Sequence, residues 1–252
     1  MRGAVAACLI ALAGADVAAQ SAEPIDADRP GLADSAAIVG RGTWQIETGL
    51  QWELHQGEDD TFFPTLFRVG LNRRLEVRVE GNTLCSALVS GHRETGLSPI
   101  SFGAKLGLVL ADDGRPGVGV IGRVFPPWGT NGFDARHLAG DVRLAVDWDM
   151  TGHWSLNPNA GFSWSDSQVG SFATGIFAVT LGYSPRPAVS VFVDSAVQQR
   201  EIAGGMASSI VDGGVAYIPR QNWQFDVSAG ARARGETAAR MFVAVGVAYR
   251  HK

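Results

Sequence analysis

Lysine is nearly missing from this chain. Of 252 residues only Lys105 and Lys252 carry an ammonium group, and arginine supplies the rest of the positive charge. There is no basic run and the net charge is -4, which excludes the electrostatic footprint of a nucleic-acid-binding protein. Cysteine is equally scarce: Cys8 lies in an expected leader, so the mature chain keeps only Cys85 and no internal disulfide is expected. His55, His92, His137, His153 and His251 are scattered singly without metal-ligand spacing, so no metal and no cofactor is expected. Beyond the first twenty residues no apolar run approaches the roughly 20 residues of a spanning helix. Apolar content (46%) and mean hydropathy (+0.06) are ordinary, but glycine is abundant, 32 residues against the roughly 7% of average proteins.

Residues 1–19 read as a secretory leader. Arg2 gives the charged end, Ala4 to Leu12 the apolar stretch, and Val17-Ala18-Ala19 a small-residue cleavage site, with a cut after Ala15 as the alternative. Residues 20–40 carry Pro24, Asp26, Asp28, Arg29 and Pro30 with no sustained period, and read as a periplasmic or plug segment. Residues 41–252 then alternate. Trp44-Gln-Ile-Glu-Thr-Gly-Leu-Gln-Trp-Glu-Leu54 sets Trp44, Ile46, Leu50, Trp52 and Leu54 against Gln45, Glu47, Gly49, Gln51 and Glu53. That is a strand with one greasy and one polar face. Leu75, Val77 and Val79 against Glu76, Arg78 and Glu80 repeat the pattern.

Twelve such stretches of about 9–12 residues are expected, with long loops at 84–98, 126–137 and 199–207 and tight turns between. A soluble sandwich would bury the greasy faces together. Charge on one face of strand after strand, opposite a nearly charge-free face with aromatics near its ends, predicts an all-β fold instead. It is a closed antiparallel transmembrane β-barrel of about twelve strands, with short periplasmic turns and longer outer loops. The expected localisation is the bacterial outer membrane, with its lipid and the barrel assembly machinery as partners and no nucleic acid.

The polar faces are then the functional surface. The pore-lining candidates are Glu47, Glu53, Arg68, Glu76, Arg78, Glu80, Lys105, Arg123, Asp141, Arg143, Asp147, Asp149, Asp194, Asp212, Asp226 and Arg240. Trp128 and Phe133 in the 126–137 loop are candidates for a constriction. The same charges read two ways: a wet passage whose charges tune selectivity, or an internal ion-pair network closing a structural or adhesive barrel. Gly117-Val-Gly119-Val-Ile-Gly122 matches a dinucleotide fingerprint, but it lies inside an alternating stretch instead of opening a helix, so glycine there relieves crowding within the barrel. Ser90-Gly91-His92 admits a lipid-modifying enzyme only if an acid completes a cluster at the rim. No enzyme is expected.

Several stretches resemble the bacterial meta-pathway phenol-degradation transporter family. They are Asp28-Arg29-Pro30, Gly42-Thr-Trp44-Gln-Ile46-Glu47-Thr-Gly49, Arg68-Val-Gly70 through Leu75-Glu76-Val-Arg78, Ser101-Phe-Gly103-Ala-Lys105, and Gly246-Val-Ala-Tyr249-Arg250. The resemblance implies an outer-membrane barrel passing small, including aromatic or hydrophobic, molecules by passive diffusion.

Overall fold

The computed structural model describes residues 24–252, except 56–57, 90, 113, 131–132, 151–152, 168–169, 201–204 and 236–238. The expected leader and residues 20–23 lie outside the described residues. Thirteen strands run β1 Trp44–Leu54, β2 Asp59–Gly70, β3 Leu75–Val89, β4 His92–Gly96, β5 Ser101–Val109, β6 Gly117–Phe125 and β7 Ala139–Asp149. They continue as β8 Trp154–Ser167, β9 Gly170–Arg186, β10 Val189–Gln198, β11 Ser208–Arg220, β12 Trp223–Arg234 and β13 Met241–His251. Every pairing is antiparallel, β1 pairs with both β2 and β13, and a β2–β3 ladder closes the ring. Twelve strands make the barrel.

The thirteenth, β4, corrects the expected 84–98 loop. β3 runs on to Val89 and folds back on itself through Gly91, whose φ of 82° suits glycine alone. Its hairpin with β4 projects beyond the ring, because β3 leaves β5 at Glu80–Ser101 and pairs with β4 only from Cys85.

The molecule is inside out relative to a soluble protein. Arg68, Arg78, Lys105, Gln45, Glu47 and Glu76 are among its largest fully buried side chains, while Leu50, Phe102, Phe162, Val193, Phe225 and Val245 stand exposed. Two stacked sheets would reverse this, so the alternation resolves to a transmembrane barrel. Near the short-turn end the outward aromatics touch: Trp44 with Tyr249 (5.6 Å between ring centroids), Tyr249 with Trp223 (4.7 Å) and Trp154 with Tyr183 (4.8 Å). That band is a girdle at one membrane boundary.

Pro158 sits within β8, where a proline removes a ladder donor. The β8–β9 ladder runs unbroken through Pro158, whereas the β7–β8 ladder omits Val146 and Asp147. The missing donor thus falls on the β7 side, and Asn157 Nδ2 donates to Val146 O at 2.9 Å in its place. Asn157→Ala therefore costs about 1–3 kcal/mol in urea unfolding. The cost shrinks when Pro158 is also valine, which restores the N–H. Equal losses in both backgrounds would instead assign Asn157 to its bonds with Asp34 O and Asp147 Oδ1.

Candidate functional site

Residues 24–40 lie in the lumen. The segment enters beside the end of β13, where Arg250 Nη1 donates to Pro24 O. It rises to mid-barrel, where Leu32 N donates to Asp194 Oδ2 (2.7 Å) and Asp34 N to Asn159 Oδ1 (2.9 Å). It then descends, with Val39 N on Glu76 Oε2 (2.9 Å), to meet the start of β1. A non-periodic segment has backbone donors to satisfy. Here the inward carboxylates of the wall take them, including Glu47 for Arg29 N (3.0 Å) and Asp147 for Ala36 N (2.7 Å).

Side chains fix the segment further. Arg68 and Arg78 lie directly opposite across β2 and β3 and would repel. Asp28 sits between them, 3.7 Å from Arg68 Nη1 and 2.9 Å from Arg78 Nη2, and also receives Lys105 Nζ at 3.2 Å. Burial alone would raise the Asp28 carboxyl, but Arg68, Lys105 and Arg78 outweigh it and hold it well below the usual carboxylate range. Asp34 is likewise held low against burial, by Arg123, Arg78 and Arg143. Arg29 reaches Asp226 (3.3 Å) across Gly49 and Gly246, which face each other on β1 and β13. A Cβ on either glycine would run into the guanidinium. Gly119, from the fingerprint-like run, faces the Ala36 backbone, where a Cβ would press within 3.1 Å. The run is strand β6, and its glycine makes room for the segment.

Ser35 adds a proton count. Its Oγ lies 2.7 Å from Asp26 Oδ2 and 2.8 Å from Asp147 Oδ2, and it accepts Ala37 N–H at 3.0 Å. One hydroxyl hydrogen serves one carboxylate, so the other short contact needs a carboxyl proton. Burial and the Asp147 carboxylate push Asp26 up to about 6.

The candidate residues divide by place. Arg68, Glu76, Arg78, Glu80, Lys105, Arg123, Asp141 and Arg143, with Glu47, Asp28 and Asp34, form one network across β1 to β7, including Arg123 Nε to Asp141 Oδ1 at 3.0 Å and Arg123 Nη1 to Glu80 Oε1 at 2.7 Å. Asp147, Asp194 and Asp226 hold the segment from the far wall, beside Asp212 on β11. Glu53 lies at the outer mouth, 3.3 Å from His55 Nε2, which also meets Asp60.

Two expectations fail on place: Arg240 is exposed at the outer rim, ahead of β13, and Asp149 is exposed at the opposite end of β7. Trp128 and Phe133 are not a constriction. Trp128 Nε1 donates to Ile100 O (3.3 Å) and Phe133 lies against Gly96, so their loop is stitched to the β4–β5 connection, with Thr130 Oγ1 accepting from Leu97 N at 2.7 Å. The lumen is narrowed by residues 26–40 instead. Their acids and Arg29 are absent from the sequence-derived candidates because the segment has no period to give them a face. The available signal was Asp28-Arg29-Pro30 itself.

Above the segment the lumen is open. A cavity of about 580 Å³ has Asp28, Arg29 and Asp34 as its floor and Pro64, Leu66 and Phe125 among its walls. A second, about 320 Å³, lies on the other side of Arg29 and reaches Glu53, His55 and Asp212.

With that geometry in view, a family model described as "Putative MetA-pathway of phenol degradation" matches residues 27–251. The chain belongs to that family. The match begins at Ala27, so the luminal Asp28-Arg29-Pro30 falls within it. Among solved structures, the COG4313 outer membrane channel from Pseudomonas putida F1 superposes with a TM-score of 0.67 at 12% identity, covering 90% of this chain and 100% of that one. The NanC porin gives 0.57 at 9% identity (82% and 98% covered) and the KdgM porin 0.54 at 12% (81% and 98%). At these identities the likeness is one of fold. No curated protein matches.

Proposed function

We propose that this family member is an outer-membrane channel for small molecules, its lumen narrowed from the periplasmic side by its own residues 24–40. The observation that carries this is the pair of open, polar-floored cavities ending on the segment. A vestibule of about 580 Å³ is within the size range of small-molecule sites, and its mixture of Leu66, Pro99 and Phe125 with a charged floor suits a small aromatic solute carrying a polar group. The family's description and the channel and porin neighbours support the same reading. The apolar outer face would lie in outer-membrane lipid, delivered there by an export leader and the assembly machinery.

A second reading, a closed structural barrel, is favoured by the seated segment and its many ion pairs. Planar-bilayer recordings separate the two. The channel passes current, and added phenol reduces it by occupying the vestibule. A folded barrel with no current, and no swelling of liposomes in small sugars, removes the channel reading. Current unaffected by phenol removes the aromatic preference alone.

A further inference from the structure

The charges inside the barrel are unevenly distributed. Arg68, Arg78, Lys105, Arg123 and Arg143 all sit on β2 to β7, and each pairs with an acid there or on the segment. The opposite wall is different. Asp194 on β10 faces Asp212 on β11 in register, and Thr180 on β9 faces Asp194 from the other side, giving a row across three strands. Directly opposed inward residues stand about 5 Å apart at Cβ, and like charges there repel.

No base answers them. Asp194 and Asp212 are 1% and 4% exposed. Asp194 Oδ2 accepts Leu32 N, but Asp194 Oδ1, both Asp212 oxygens and Thr180 Oγ1 are buried without a hydrogen-bond partner. The nearest segment base, Arg29, is committed to Asp226 at 3.3 Å. Arg143 on the other flank is held by Asp34 and Asp141. Arg232 lies further out on β12, near the end of its ladder with β11. An unsatisfied buried carboxylate is costly, and two side by side more so.

The geometry points to a cation station: Asp194, Asp212 and Thr180 take a hard cation, calcium or magnesium being the best-matched class, on the wall of the 320 Å³ cavity, and give the passage a preference for cations. Oxygen-only donors suit such ions. Among the described residues no three His, Cys, Asp or Glu side chains are grouped to hold a metal ion. The station is therefore not a cage, and the ion keeps much of its water and can leave again, as conduction requires. Asp212 lines that cavity, so an ion entering past Glu53 and His55 meets it before it meets the segment.

The conduction part of this inference rests on the channel reading; binding does not. The test compares the full chain with Asp194→Asn/Asp212→Asn, which keeps shape and an acceptor for Leu32 N. In a potassium chloride gradient the wild type reverses on the cation side, and the double variant moves to near zero preference. Separately, in detergent, millimolar calcium chloride raises the wild-type unfolding midpoint and does not raise the variant's. No current, with the calcium shift present and lost in the variant, sinks the channel and keeps the station. Current with an unchanged reversal potential in the variant, or no calcium shift in the wild type, overturns the station and leaves the two carboxyls sharing a proton.

Discussion

A barrel lacking residues 24–40 conducts several-fold more current per channel than the full chain, with its β content unchanged. The strand ladders start at Trp44, and the bonds that join the segment's end to the barrel begin at Gly40 and Gly42 on Thr43 and Gly70. Deletion therefore removes no strand pairing. What it removes are backbone donors to Glu47, Glu76, Asp147 and Asp194, and the Asp28 and Asp34 carboxylates that lie among the five wall cations. Those cations then face water, which solvates charge well enough for the barrel to persist, and Arg68 and Arg78 push apart across the β2–β3 ladder. The lumen cross-section from Arg29 to Ala37 opens. Single-channel recordings of the deletion variant measure it. If conductance stays at the full-chain value, ions pass beside the segment, through the cavity lined by Asp212, and the segment does not limit flow.

How much of this was legible in the sequence depends on whether a residue belongs to a periodic run. β6 lies at Gly117–Phe125 and β7 at Ala139–Asp149, within a residue of where their alternation puts them, because a period of two in a half-wet strand admits one register. The inward charges follow from the same parity. Pairing among them does not: Arg68 could answer Glu47, Glu76 or Asp28, and answers all three, because the third comes from a segment outside the pattern. The plug was named only as one of two places for residues 20–40. Its seat is written in glycines on inward positions, Gly49, Gly119 and Gly246, which alternation treats as blanks. Trp128 and Phe133 misled for a related reason. Aromatic loop residues signal burial, and here they bury against a neighbouring outer loop whose hairpin, β3–β4, was itself read as irregular.

Arg68→Met destabilises the barrel by about 3–5 kcal/mol, more than any other single luminal substitution. The guanidinium is 1% exposed. Its Nε and Nη2 fork onto both oxygens of Glu76 at 2.9 and 3.0 Å, and its Nη1 takes Glu47 Oε1 and Asp26 O, each at 3.2 Å. Its Nη2 also holds Ala37 O at 2.9 Å, so one side chain ties two strands to both limbs of the segment. Methionine fills much of the space but leaves Glu47 and Glu76, both fully buried, short of their main partner; Lys105 stands 3.8 Å from Glu76. Arg68→Lys keeps the charge and loses the fork, so it falls between the two. Urea unfolding in lipid vesicles, read by tryptophan fluorescence, orders the three as wild type, Lys, Met. The comparison also reports on water: a cost near 4 kcal/mol means the carboxylates at this level are dry and the segment seals the lumen. A cost below about 1 kcal/mol, the range of solvated ion pairs, means that water reaches them and that the network around Arg68 is part of the passage and not its closure.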